Sequence, residues 1–217
     1  MTPTDIGRGL PSAESSGSSK GLRSAPPNTT LTLRFQPFQL YPELPERDGI
    51  DKASFFLANS KRVRPDEMGD ARDARRQRVV EAWREEGLAL NDVYGSTGGK
   101  LGNSFDAQRL ILLARAQGKE NEAIEAVYTL NHTDGKYLCD RETLLAAATR
   151  AGVVGATAML ESGAGAEEVR ERIRGYHSMG ITAVPVLIIN SQWVLQGYPE
   201  AALLEAAFAR LIETGSL

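Results

Sequence analysis

At 217 residues, 41% hydrophobic and 24% charged, the chain is long enough for one sizeable domain with its own core. A net charge of −3 gives no electrostatic case for nucleic acid or an anionic membrane surface, and no apolar run approaches the ~18 residues of a membrane span. One cysteine, Cys139, excludes an intramolecular disulfide framework and a multi-cysteine zinc site, so the expectation is no bound metal and a reducing, cytoplasmic compartment.

Residues 1–30 are rich in Ser, Gly, Pro and Thr and are expected to be disordered. They hold no apolar signal-peptide core, and Asp5 and Glu14 argue against a transit peptide. Leu31–Phe35 alternates, which predicts a strand with Leu31, Leu33 and Phe35 on one face. Pro37, Pro42 and Pro45 then interrupt it. From about 51 to 179 the pattern is helical. Asp51 is placed to cap a helix through Asn59. Pro65 opens a longer helix that carries Trp83, and Gly87 stops it. The mixed-sign run before Val79 reads as a solvated helix face. Helices follow over Ser104–Gln117, Glu120–Leu130, a segment capped by Asp140 and closed by Gly152, Val154–Leu160, and Glu167–Met179. The last shows an i, i+4, i+7 stripe of Val169, Ile173 and Tyr176.

Met179–Glu200 is the most informative stretch. Gly180 should end the preceding helix as a left-handed cap, with Ile181 folding back. Val184–Ile189 reads as a strand, Asn190-Ser191 as a two-residue hairpin turn, and Trp193–Leu195 as its return. Pro199 opens a final helix to Glu213, expected to bury Leu204, Phe208, Leu211 and Ile212. Pro185 stands at the mouth of a strand too apolar to be an edge. Either a trans proline starts the strand, or a cis Val184–Pro185 bond turns the Val184 N–H and C=O outward. An outward pair is a rail for an extended peptide.

Three patches carry a likeness: Gly180-Ile181-Thr182-Ala183-Val184-Pro185 with its strand, Asn190 turn and Gly197; Arg34–Leu40 (RFQPFQL) followed by Pro42–Pro45 (PELP); and Gly98–Leu110 (GGKLGNSFDAQRL), with Gln108 where histidine is usual. Over roughly residues 31–215 the chain resembles the DsbA-like branch of the thioredoxin superfamily, in particular its FrnE-type group. The resemblance implies an α/β thioredoxin-like fold with a large helical insertion, at about 51–179 of a domain spanning 31–217. It also implies a cis Val184–Pro185 bond facing a redox site, and thiol–disulfide oxidoreductase or glutathione-dependent isomerase or transferase activity.

In that family a strand and a helix bearing CxxC or Ser precede the RFQPFQL segment. Residues 1–30 hold no cysteine and no strand-like run, so the first βα unit is missing here, and truncation is preferred to lost chemistry. The missing strand would lie between RFQPFQL and the Val184 strand. Either residues 31–36 move in beside Val184–Ile189, or two ladder edges stay open. No catalytic residue is assigned. Val184, Pro185 and Asn103 are the candidate substrate-binding residues, with no cofactor and with a thiol or disulfide peptide, or glutathione, as partner. Asn103 is a helix cap or flank, or else a polar group facing the substrate cleft. Cys139 either fills a loop-to-helix junction or is an activated thiol at a helix start. His132 and His177 lack partners at metal-ligand spacing. Gly95–Lys100 fails as a phosphate loop, because Tyr94 and Leu101 occupy its key positions.

Overall fold

The computed structural model describes residues 32–59, 70–85, 87, 89–90, 99–197 and 199–214. The readings for residues 1–30, for Pro65 and for most of the Gly95–Lys100 loop lie outside the described residues. The chain forms two compact units: Tyr41–Glu171, and Met1–Leu40 together with Arg172–Leu217.

The Tyr41–Glu171 unit is helical. Strand β1 (Ile50–Asp51) pairs antiparallel with β2 (Lys100–Leu101), Ile50 opposite Leu101. Helices α1 (Lys52–Ala58) and α2 (Asp70–Glu85) are followed by α3 (Phe105–Ala116), α4 (Glu120–Tyr128) and a π turn (Thr129–Thr133). Next come α5 (Arg141–Ala151) and α6 (Ala156–Glu161). Asp51 caps α1 as expected, its carboxylate accepting the Ser54 N–H at 2.7 Å. Gly87 follows α2, with its N–H on the Arg84 carbonyl at 3.0 Å. The core of the unit joins α3, α4, α5 and α6. Ala114, Ala123 and Ala147 are fully buried, which lets helix backbones approach closely. Leu110 and Leu144 fill the remaining space, each burial worth ~2–3 kcal/mol.

The other unit holds the C-terminal half of helix α7 (Ala166–Ser178), the hairpin β3 (Val186–Ile189) and β4 (Trp193–Gln196), and helix α8 (Ala201–Thr214). Gly180, at φ +79°, ends α7 as the sequence predicts. Its N–H bonds to the His177 carbonyl at 2.9 Å, and the Ile181 N–H reaches back to Tyr176 at 3.1 Å. Asn190 and Ser191 both take positive φ, at 50° and 57°. The Gln192 N–H closes the turn on the Ile189 carbonyl at 3.1 Å, while the ladder begins at Ile189–Trp193, leaving Gln192 as one extra residue on the return strand.

Four expectations need correction. Among the described residues 32–39 there is no strand. Alternation alone does not make one without a ladder partner. These residues engage α7 instead: Pro37 is buried, the Phe38 ring lies 5.2 Å from His177, and Gln36 accepts from Arg172 at 3.2 Å. β3 therefore pairs with β4 alone among the described residues, and it starts at Val186 rather than Val184. Asp140 has the extended backbone of a cap, but its carboxylate makes no capping bond; its carbonyl starts α5 by accepting the Leu144 N–H. Ile212 is exposed, because the inner face of α8 follows Leu204, Phe208 and Leu211 and the next residue turns about 100° away.

Candidate functional site

The loop from Ile181 to Pro185 is fixed at both ends. Ile181 is 4% exposed, anchored under the cap of α7. At the other end the Pro185 carbonyl accepts the Gly197 N–H at 3.0 Å, tying the loop to the end of β4. The Val184–Pro185 bond is cis. Val184 between these anchors is 51% exposed. Among the described residues its N–H and C=O make no hydrogen bond. A shallow cavity of about 230 Å³ opens here, lined by residues 181–186 with Gln196 and Gly197. None of the lining side chains is charged.

Asn103 belongs to the helical unit and is a clip in it. Its N–H donates to the Pro45 carbonyl at 2.9 Å and its amide nitrogen to the Pro42 carbonyl at 2.9 Å. Its side-chain oxygen accepts the Phe105 N–H at 2.9 Å, so it flanks α3, whose cap position is Ser104. Its own carbonyl accepts the Cys139 thiol at 3.0 Å. The PELP and Gly98–Leu110 patches thus meet through one residue, by bonds between positions 58 and 61 apart that spacing could not reveal.

Cys139 is half-buried. Burial pushes its thiol up, the Asp106 and Asp140 carboxylates add to this, and the Tyr137 hydroxyl offsets it in part. The Tyr137 hydroxyl is itself pushed up by burial and by Cys139, and makes no hydrogen bond of ordinary geometry. Gly102 packs against this pair: a Cβ there would overlap the Tyr137 hydroxyl and the Cys139 sulfur. This environment holds the sulfur as a thiol and fits the junction-filling reading.

Sequence reasoning gave Arg109 no role, although it lies within a quoted patch. It is 6% exposed. Its Nε donates to the Ala164 carbonyl at 2.9 Å, and Nη2 to the Met159 and Ser162 carbonyls at 2.5 and 2.6 Å. Nη1 pairs with Asp106 at 2.7 Å. An arginine beside Leu110 on a Leu-rich helix was the available signal. Among the described residues no group of three or more His, Cys, Asp or Glu is placed to hold a metal, and no helix is long and apolar enough to cross a membrane.

Comparison with known proteins agrees with this architecture. A family model described as a DSBA-like thioredoxin domain matches residues 18–209. A solved structure, a probable DsbA oxidoreductase from Streptomyces coelicolor, superposes with a TM-score of 0.79 at 23% identity, over 93% of this chain and 84% of that one. No curated protein sequence gives a significant match.

Proposed function

The chain belongs to the DSBA-like thioredoxin domain family, and from that premise we propose that it binds extended thiol- or disulfide-bearing peptides along Val184–Pro185. The observation that carries this is the exposed Val184 peptide, with its N–H and C=O unpaired among the described residues, beside an open cavity without charge. Such a rail offers two backbone hydrogen bonds to an extended chain, and apolar walls take its side chains. Glutathione carries two carboxylates, and the lining offers no cation to either, so a peptide is the better partner. The Gly98–Leu110 run favours the FrnE-type group within the family, and the lone cysteine suits a reducing, cytoplasmic setting.

The same reading makes the chain catalytically incomplete as an oxidoreductase. Dithiol exchange needs a second thiol to attack the mixed disulfide and release the product. With one cysteine, a mixed disulfide on Cys139 would persist until an external thiol displaced it. Reduction of insulin disulfides should therefore stay at the free-thiol background.

Val184→Asp tests the binding site. It sets a charge on the rail without touching the helical core. Affinity for an apolar, cysteine-containing peptide, measured by calorimetry, should fall at least tenfold while the unfolding midpoint stays unchanged. Equal affinity in both proteins would refute the reading.

A further inference from the structure

His132 lies in the π turn Thr129–Thr133, its ring between two others. The Trp83 ring of α2 is 5.1 Å away, and so is the Tyr128 ring at the end of α4. Nδ1 is 2.9 Å from the Asn131 side-chain oxygen, and the Asn131 amide donates to the Lys136 carbonyl at 2.9 Å, so the loop beyond the turn sets the ring's orientation. The next residue, Thr133, donates its hydroxyl to the Ala89 carbonyl at 2.8 Å. Two successive side chains of one turn thus grip the C-terminal end of α2 and the chain just past it. The α2 sequence, DARDARRQRVVEAWRE, concentrates its large apolar residues near that end.

We propose that the His132 turn is an acid-released clasp: the neutral imidazole holds the end of α2 on the helical unit, and its protonation frees that end. Among the described residues, groups facing the ring include the Trp83 indole from α2, the Tyr128 phenol from α4, the neutral Asn131 amide, and the Lys52 ammonium of α1, whose field reaches it. The nearby Asp134 carboxylate is engaged by Arg150 at 2.9 Å. Burial first, and Lys52 second, bring His132 down to about 4 from 6.5. Attraction between an imidazolium and the two aromatic faces would act the other way.

The sign follows from proton binding. Above pH 6.5 the ring is neutral whether docked or released, and the clasp is unaffected. Between 6.5 and 4 the released state binds more protons, so docking weakens as pH falls. With values of 6.5 released and about 4 docked, opening should become favoured about 20-fold at pH 5 and about 120-fold at pH 4, relative to pH 7.

Amide hydrogen exchange on the full chain tests this. From pH 7.5 to 5, protection factors for Val80–Glu85 should fall about 30-fold in the native chain. In His132→Phe, which keeps a ring but cannot titrate, that loss should vanish. An equal loss in both proteins, or none in the native chain, overturns the proposal. Should the variant fail to fold, ring titration of the native chain decides: it has two histidines, and His177 is exposed. A His132 midpoint below 5.5 supports the clasp, and a midpoint at or above 5.5 overturns it.

Discussion

Replacing Arg109 with methionine keeps most of the aliphatic stem and removes the guanidinium. The change strips a donor from the Met159, Ser162 and Ala164 carbonyls, at the point where α6 ends and the chain turns toward α7. Met159 keeps another donor, the Ser162 N–H at 3.3 Å, so the loss falls mainly on Ser162 and Ala164. Ser162 and Ala164 are exposed, so water can replace the guanidinium on their carbonyls and the loss is the net worth of the bonds, roughly 1 kcal/mol each. Two such losses, with a smaller one at Met159, give about 2–3 kcal/mol. Asp106 contributes little, since its side chain is 47% exposed and surface pairs are worth about 0–1 kcal/mol. Urea unfolding followed by far-ultraviolet circular dichroism should show a lower midpoint with an unchanged slope. Arg109→Lys, which can reach only some of the carbonyls, should fall between the two proteins. A loss below about 1 kcal/mol for Arg109→Met would refute the claim that this guanidinium organises the α6–α7 connection.

Two further outcomes bear on the hairpin and the thiol. Ser191 sits at φ +57°, where an L side chain crowds its own backbone; Ser191→Gly should raise stability by up to about 1 kcal/mol, read from the same unfolding curves, and any loss would contradict the turn geometry. Because burial pushes the Cys139 thiol up, its alkylation by iodoacetamide at pH 7 should run at least about tenfold slower in the native chain than in urea; equal rates would mark it as an activated thiol.

What the sequence made legible was local. The Gly180 cap, the Asn190-Ser191 turn and the Gly152 stop each depend on a few adjacent residues whose backbone preferences are strong. What it hid depends on distance. Arg109 serves carbonyls 50 to 55 residues away, and carbonyls carry no residue identity to read. Asn103 was legible as a helix flank, because its bond to Phe105 is two residues long, but not as the clip on Pro42 and Pro45. The two-residue strands at Ile50 and Lys100 are too short for any period to show. Leu31–Phe35 failed in the opposite direction: its period was clear, yet residues 32–39 pack on α7 by side chains, because a strand needs a ladder and not merely an alternation.

The two units differ in how they hold apolar side chains. In the helical unit leucines and alanines close over one another, and Leu110 and Leu144 are fully buried. In the other, Ile173, Ile181 and Leu204 are buried, while Leu33, Leu40, Met179, Val184, Val194 and Leu203 are exposed and all four residues of β3 are half-buried. A hairpin with both outer edges free among the described residues cannot dehydrate both of its faces with two helices' worth of cover. Apolar surface left open in this way is what an extended peptide would bury, and its backbone would find the unpaired N–H and C=O of Val184 in the same place. The candidate site is thus set in the unit whose own packing leaves the most to gain from a partner, and the fastenings at Ile181 and Pro185 keep that surface shaped while it is empty.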